Sequence, residues 1–357
     1  MNLECIGWSA AWHEGFSIHA SVGLVPARIA GEHRGAYDAM TEAGPVAAEV
    51  SGRFRHEAQS RADYPAVGDW VALDMPAGAP RAVIHAILPR ATVLSRRAAG
   101  TKVAEQPVAA NVDVLFLVSA LGADLNYRRI ERYLTLARES GAAPVILLNK
   151  ADCHADAEAA RQAVQALAGD VPVVLTSAVS NEGLHGLREC LGQGMTGALV
   201  GSSGVGKSSI VNALLGVPLL ATAAVREKDE RGRHTTTRRE LIPIPGGGVL
   251  IDTPGMRELS LWADESALEG AFDEISALAA ECRFRDCSHV GEPGCAVQRA
   301  LAEGVLDMGR YEGYLRQRRE IRHHMAESNV HVRLAERKRW KAIHKANRHN
   351  TKRTGVE

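Results

Sequence analysis

The stretch VILLNKAD, residues 145–152, decides how this chain is read. An apolar run that suits a strand buried on both faces ends in Asn149-Lys150-x-Asp152. A carboxylate at Asp152 can accept the N1–H and 2-amino protons of guanine as a bidentate pair. Adenine would meet the same carboxylate with a lone pair. Asn149 can contact the base edge or tie neighbouring loops, and the Lys150 stem can lie across the base plane. The next apolar run, VPVVLTSA, ends in Ser177 and Ala178, where a backbone N–H near Ala178 would reach guanine O6. Alone, N-K-x-D arises by chance in roughly one chain of this size in twenty, as a surface turn after a strand.

The phosphate loop comes late. Gly201-Ser202-Ser203-Gly204-Val205-Gly206-Lys207-Ser208 fits G-x-x-x-x-G-K-[ST] and starts 52 residues after Asn149. The short strand GALV precedes it, and SSIVNALLG, from Ser208 and Ser209, forms a helix after it. Glycines let successive N–H groups point at phosphate oxygens, and the helix adds the positive end of its dipole. Lys207 then bridges the β- and γ-phosphates, and Ser208 offers its hydroxyl to Mg²⁺. This loop by itself does not choose between ATP and GTP. DTPG (252–255) ends another apolar strand, so Asp252 joins Ser208 on Mg²⁺ and the Gly255 N–H faces the γ-phosphate.

Between these motifs, REKDERGRHTTTRRE (226–240) is dense in charge and has no apolar stripe. It reads as a switch loop in which one of Thr235, Thr236 and Thr237, by preference Thr235 or Thr236, completes the Mg²⁺ shell. Met256 follows DTPG where many switches keep a water-orienting glutamine, so intrinsic turnover is expected to be slow. His234 is a catalytic candidate for that water, beside Lys207; the alternatives are that a bound partner positions the water and that the histidine is merely exposed in a loop.

The motif order is base loop, second base loop, phosphate loop, switch loop, DTPG. A cyclic shift of the usual order produces it, and sheet contacts do not depend on where the termini lie. Alternating strands and helices from about residue 108 predict a parallel sheet wound by helices, with ligands at its carboxyl edge.

Upstream, short segments such as VGDWVAL (67–73) and RAVIHAIL (81–88) are punctuated by Gly and Pro, as in a small all-β barrel. Arg53, Arg55 and Arg61, with Phe54, Tyr64 and Trp70, either face nucleic acid or, for the aromatics, fill the barrel core. Downstream, Cys282, Cys287, His289 and Cys295 supply three thiolates and an imidazole, enough for a closed, structural zinc site. Redox-active cysteines are the alternative. The stripe Leu268, Phe272, Ile275 and Ala279 leads a helix into that cluster.

Composition bounds the rest. The 357 residues are 46% hydrophobic and 24% charged, as in ordinary globular proteins. No apolar run approaches the ~18 residues of a membrane span, and the first twenty residues do not resemble a secretory signal. Six cysteines, three of them clustered, suit a reducing cytoplasm. The formal charge is zero, yet residues 331–357 hold nine Lys or Arg against two Glu, a net +7 that points to a polyanion.

The series NKAD, TSA, GSSGVGKSS, GRHTTT, DTPG and Cys-x₄-Cys-x-His-x₅-Cys resembles the bacterial circularly permuted GTPases that depend on the small ribosomal subunit. VLSRRAAG, EQPVAANVDVLFLVSAL and RRIERYLTLARESGA are similar to theirs as well. The resemblance, over about residues 25–345, implies an OB-fold, a GTPase domain and a zinc domain in one chain. It also implies binding to that subunit and its rRNA in late maturation, with GTP-gated release and subunit-stimulated hydrolysis. The expected order is an N-terminal extension (1–20), loosely ordered, and an OB-like β-barrel (21–105). A circularly permuted α/β P-loop domain with a mostly parallel sheet (106–262) and a mainly helical zinc domain with its basic tail (263–357) complete it. The expected ligands are GTP or GDP, Mg²⁺ and one structural Zn²⁺, in a monomer without membrane contact.

Overall fold

The computed structural model describes residues 2–33, 35–76, 78–97, 105–122, 124–217, 240–252, 268 and 270–328. Among them the chain forms two compact units, one of residues 1–96 and 105–260 and one of 97–104 and 261–357.

The first unit starts with the barrel. Strands β1 (Val25–Glu32), β2 (Tyr37–Thr41), β3 (Gly44–Val50), β4 (Trp70–Asp74) and β5 (Ala82–Ile87) follow one another, with β3 and β5 parallel. Pairing of β1 with both β2 and β4 closes the ring in the order β1-β2-β3-β5-β4. Ile29, Tyr37, Val50, Val71, Leu73 and Ile84 fill it, with Phe54 and Tyr64 packed against them. Trp70 is also buried. The aromatics therefore serve the core. Arg53, Arg55 and Arg61 pair with Glu57, Glu49 and Glu32 respectively.

Residues 2–20 are not a loose extension. A 3-10 turn (Leu3–Ile6) and helix α1 (Ala10–Ala20) bury Leu3, Ile6 and Phe16, and Trp8 stacks edge-on to Trp70 at 4.7 Å. Gly7, in the left-handed conformation, separates the two turns. The apolar residues thus belong to two short elements, and no single period runs through them.

A two-stranded sheet, β6 (Val93–Arg97) with β7 (Glu105–Ala110), links the barrel to the second half of the unit. There β8 (Val114–Ala120), β9 (Ala143–Asn149), β10 (Val173–Thr176), β11 (Thr196–Val200), β12 (Glu240–Pro243) and β13 (Val249–Asp252) order as β10-β9-β8-β11-β13-β12. All neighbours are parallel except β12 against β13. Strand β8 is buried along its whole length. Leu115 and Leu117 point to the face covered by α3 (Tyr127–Ser140) and α4 (Ala157–Ala168). Phe116 and Val118 point to the face covered by α5 (Leu184–Cys190) and α6 (Lys207–Leu215). Burial on both faces is why this strand reads as a continuous apolar run.

Barrel and nucleotide-fold sheet are continuous through β1 and β12, where Gly31 pairs with Glu240. Arg28, buried on β1, reinforces the join. It donates to Gly68 O at 3.2 Å, Asn111 O at 3.1 Å, Thr196 Oγ1 at 2.8 Å and the Ile6 carbonyl. Burial lowers its pKa to about 10, against the pull of Asp113 and Asp69, so the guanidinium stays charged at neutral pH.

In the second unit the helices Asp273–Ala280, Ala296–Ala302 and Met308–Ser328 surround Phe272, Ile275, Val297, Tyr311, Tyr314 and Ile321. Cys287 and Cys295 lie in the same core. Among the described residues, no helix is long and apolar enough to cross a membrane.

Candidate nucleotide site and metal centre

Parallel strands β8, β9, β10, β11 and β13 bring their carboxyl ends, and the loops after them, to one edge of the sheet. The loop after β11 is shaped by its glycines. A Cβ on Gly201 would stand 2.3 Å from Val118 O of β8, and Gly206, at φ +98°, would place one 2.3 Å from Asn149 Nδ2. Helix α6 begins at Lys207, whose ammonium donates to Gly201 O and Ser202 O at 2.7 Å each. Ser203 and Gly204 are exposed, Val205 is buried in the core, and Ser208 and Ser209 occupy the first turn of α6. Asp252 ends β13, the strand beside β11. Its burial raises the carboxyl above the ordinary range, while nearby Lys207 opposes that shift. Backbone N–H groups, a helix N-terminus and a lysine make a cradle for phosphates. The Ser208 hydroxyl and the Asp252 carboxylate are hard oxygen donors of the kind Mg²⁺ takes.

Gly206→Ala tests the loop. The new methyl must displace the Asn149 amide, and an L-residue at that φ costs on the order of 1–2 kcal/mol. Nucleotide affinity is expected to fall at least about tenfold, with the melting temperature down by a few degrees. Fluorescent-nucleotide titration and calorimetry read the two effects.

The base loop follows β9, which is separated from β11 by β8. Asn149 is 2% exposed and donates to Val205 O at 2.7 Å, while accepting from Thr176 Oγ1 at 3.3 Å. Its amide thus binds the phosphate loop to β9 and β10. Pairing of Thr176 with Asn149 sets the NKAD and TSA loops side by side. Lys150 takes the left-handed conformation (φ 64°), which turns the chain into a 3-10 turn (Ala151–Cys153) carrying the exposed Asp152. A hydrogen bond from Ser177, and then one from the Cys153 thiol, hold the Asp152 carboxyl below the usual carboxylate range. Ser177 is itself buried, and its oxygen accepts from the Val179 and Ser180 N–H groups. Ala178 lies in that turn.

His234, Thr235, Thr236 and Gly255, together with the basic tail, lie outside the described residues. Two residues that no motif pointed to touch the phosphate loop: Arg129 donates to Ser202 Oγ, and the Tyr133 hydroxyl is hydrogen-bonded to the same serine. Tyr133 read as one member of an apolar helical stripe; the clue was its hydroxyl, which needs a partner when buried.

In the second unit the ligand atoms of Cys282, Cys287, His289 and Cys295 all lie within 4.8 Å of one another. Cys282 Sγ is 3.8 Å from Cys295 Sγ, and His289 Nδ1 is 3.6 Å from each of these sulfurs. Zinc bonds of ~2.3 Å to sulfur and ~2.0 Å to nitrogen give tetrahedron edges of roughly 3.8 and 3.5 Å. The cluster is therefore compatible with one closed, structural zinc. Outer partners hold His289 in place: its carbonyl accepts from the Tyr311 hydroxyl at 2.5 Å and from Gln298 Nε2 at 2.5 Å.

Glu292 braces the same turn, accepting from the N–H groups of Ser288 (2.9 Å), Val290 (3.0 Å) and Gly291 (3.2 Å) and from the Ser288 hydroxyl. Burial alone would raise its pKa, but these bonds outweigh it and hold the carboxyl at about 2. A value depressed below the ordinary 4.5 means the stabilisation is present above about pH 4.5 and is lost as pH falls toward 2. Glu292→Gln is expected to cost the second unit ~1–2 kcal/mol at neutral pH, with the gap closing below pH 4.5. Urea denaturation of the wild-type and variant proteins across that range measures it.

A family model described as RsgA GTPase matches residues 87–262. The chain is 46% identical over 98% of its length, and 97% of the relative's, to a "Small ribosomal subunit biogenesis GTPase RsgA" of Opitutus terrae. A protein of that name from Syntrophotalea carbinolica is 42% identical over 96% of each chain. The chain belongs to the RsgA GTPase family. It is a GTPase, converting GTP to GDP and phosphate, chemistry that in GTPases generally runs with Mg²⁺. Among solved structures it is similar to YjeQ from Thermotoga maritima (TM-score 0.63, 27% identity, 84% of this chain and 98% of that one). It is similar also to "YloQ, a circularly permuted GTPase" (TM-score 0.60, 26% identity, 84% and 95%). The permutation is visible in the RsgA-family sheet itself: β8 and β9, ahead of the phosphate loop in the chain, flank its strand β11 on one side while β13 flanks it on the other.

Proposed function

We propose that this chain binds the small ribosomal subunit and its rRNA and acts in late maturation of that subunit, with GTP-gated release and subunit-stimulated hydrolysis. The observation that carries this reading is likeness over nearly the whole chain to relatives named for small-subunit biogenesis. A closed barrel, a Cys₃His unit and a tail of net +7 are consistent with gripping RNA at several points. The protein works as a cytoplasmic monomer without membrane contact.

At the nucleotide site, Asp152 reads the guanine edge, with Ser177 orienting its carboxylate and the Ala178 N–H facing O6. Asn149 and Lys150 complete the base pocket. Residues 201 to 206 wrap the phosphates through Gly201, Ser202, Ser203, Gly204, Val205 and Gly206, and Ser209 continues the first turn of α6. Lys207 leaves its loop carbonyls to meet the β- and γ-phosphates. Ser208 and Asp252 would hold Mg²⁺, which would supply positive charge against the phosphate oxygens. Thr235 or Thr236 would complete the Mg²⁺ shell, the Gly255 N–H faces the γ-phosphate, and His234 positions the attacking water in place of the missing glutamine. Cys282, Cys287, His289 and Cys295 hold one structural Zn²⁺.

Turnover compared with and without purified small subunits tests the reading. Stimulation that grows with subunit concentration supports it, and equal rates in both arms remove the ribosome-dependent role. A His234→Ala variant that keeps the full stimulated rate removes that residue from the mechanism.

A further inference from the structure

The "x" positions of a phosphate loop are free in the motif, yet Ser202 is tied down. Asn126 caps α3 by accepting from the Arg129 N–H at 3.1 Å, which sets Arg129 in the first turn. From there its Nη1 donates both to Asp124 Oδ1, at 2.9 Å, and to Ser202 Oγ. Tyr133, one turn further along α3 and 5% exposed, is hydrogen-bonded to the same serine. Arginine–carboxylate pairs frequently close as two-bond forks. Here Asp124 Oδ2 is buried with no hydrogen-bond partner, and the fork stays incomplete in favour of the serine. The carbonyl of Ser202 in turn accepts from Lys207 Nζ at 2.7 Å.

The phosphate loop is thus anchored on two flanks. Asn149 holds its far shoulder through Val205 O, and α3 holds its near shoulder through Ser202. The first anchor belongs to the base-reading motif. The second comes from a helix that follows β8, the strand paired directly with β11.

We propose that Arg129 and Tyr133 are positioning residues for the nucleotide phosphates, clamping Ser202 so that the loop keeps its phosphate-accepting shape. This inference rests on the reading of residues 201–208 as the phosphate site. Because the clamp shapes the cradle before any chemistry, it contributes to GDP and GTP binding alike. Its loss raises KM and leaves kcat within about threefold.

The test is titration of fluorescent GDP into wild-type protein and the variants Arg129→Ala, Ser202→Ala, Arg129→Ala with Ser202→Ala, Arg129→Lys and Tyr133→Phe. Each alanine variant is expected to weaken GDP about tenfold, the worth of one charge-assisted hydrogen bond. The double variant should be no more than about twofold weaker than either single one, since both remove the same contact. Arg129→Lys, which keeps one donor, should recover part of the loss. Tyr133→Phe should fall between Arg129→Ala and wild type.

Affinity within twofold of wild type in a folded Arg129→Ala overturns the proposal, as do losses that multiply in the double variant. Should Arg129→Ala fail to fold, Ser202→Ala alone decides: unchanged GDP affinity there overturns the clamp. Wild-type protein that binds no GDP, or Lys207→Ala protein that binds it undiminished, would instead strike the phosphate-site reading on which the clamp depends.

Discussion

Asp152→Asn is expected to weaken GTP binding by roughly a hundredfold or more and to create affinity for xanthosine triphosphate. Two charge-assisted hydrogen bonds, at ~1.5–3 kcal/mol each, separate guanine from a base that cannot donate to the carboxylate. The asparagine amide turns one acceptor into a donor, which repels the guanine 2-amino group and suits the 2-oxo group of xanthine. The substitution should leave the fold intact. Asp152 is exposed, and the asparagine keeps one carbonyl oxygen to accept from the buried Ser177 or from the exposed Cys153. Competition binding with GTP, ATP and xanthosine triphosphate reads the outcome. Undiminished GTP affinity would mean that the NKAD loop does not read the base.

Stripping zinc should unfold the second unit. The metal cluster lies inside its core: Cys287 and Cys295 are each 6% exposed and pack with Phe272, Ile275 and Val297. Structural zinc contributes ~10–16 kcal/mol of apparent binding energy, against a total stability of ~5–15 kcal/mol for a typical domain. Chelation, or Cys287→Ala, is therefore expected to abolish the cooperative folding transition of the unit and much of its helical signal. Elemental analysis should find one zinc per chain in the native protein. Retained helicity after complete metal removal would show that the apolar core suffices by itself.

Several parts of this protein were legible before any tertiary contact was known. The loops proposed to hold phosphates and to read the base are local: their residues are contiguous, and each follows an apolar strand that ends at the same sheet edge. Their reversed order was enough to place the permutation. The Cys₃His cluster was legible for the same reason, since its four residues lie within fourteen positions. The barrel was readable as a class, from Gly- and Pro-punctuated strands, but not its ring order. The parallel pairing of β3 with β5 is a non-local contact that leaves no local mark.

Other features escaped because their partners are distant in the chain. Residues 2–20 matched no pattern, since their buried residues belong to a 3-10 turn and a short helix that share one core with Trp70 far downstream. Arg53, Arg55 and Arg61 read as a basic face, and their pairing with Glu57, Glu49 and Glu32 left no mark in the sequence. Tyr133 looked like core alone.

Sequence by itself determined the family's chemistry, GTP hydrolysis, and marked the residues proposed to read guanine, cradle phosphates and hold a metal, because those demands fall on neighbouring residues. Only tertiary structure decided how the site is braced. Arg28 joins barrel to sheet across 168 residues to Thr196, and Arg129 reaches Ser202 across 73. Such bonds satisfy buried or half-buried polar groups wherever the fold happens to bring a partner, and linear spacing carries no trace of them.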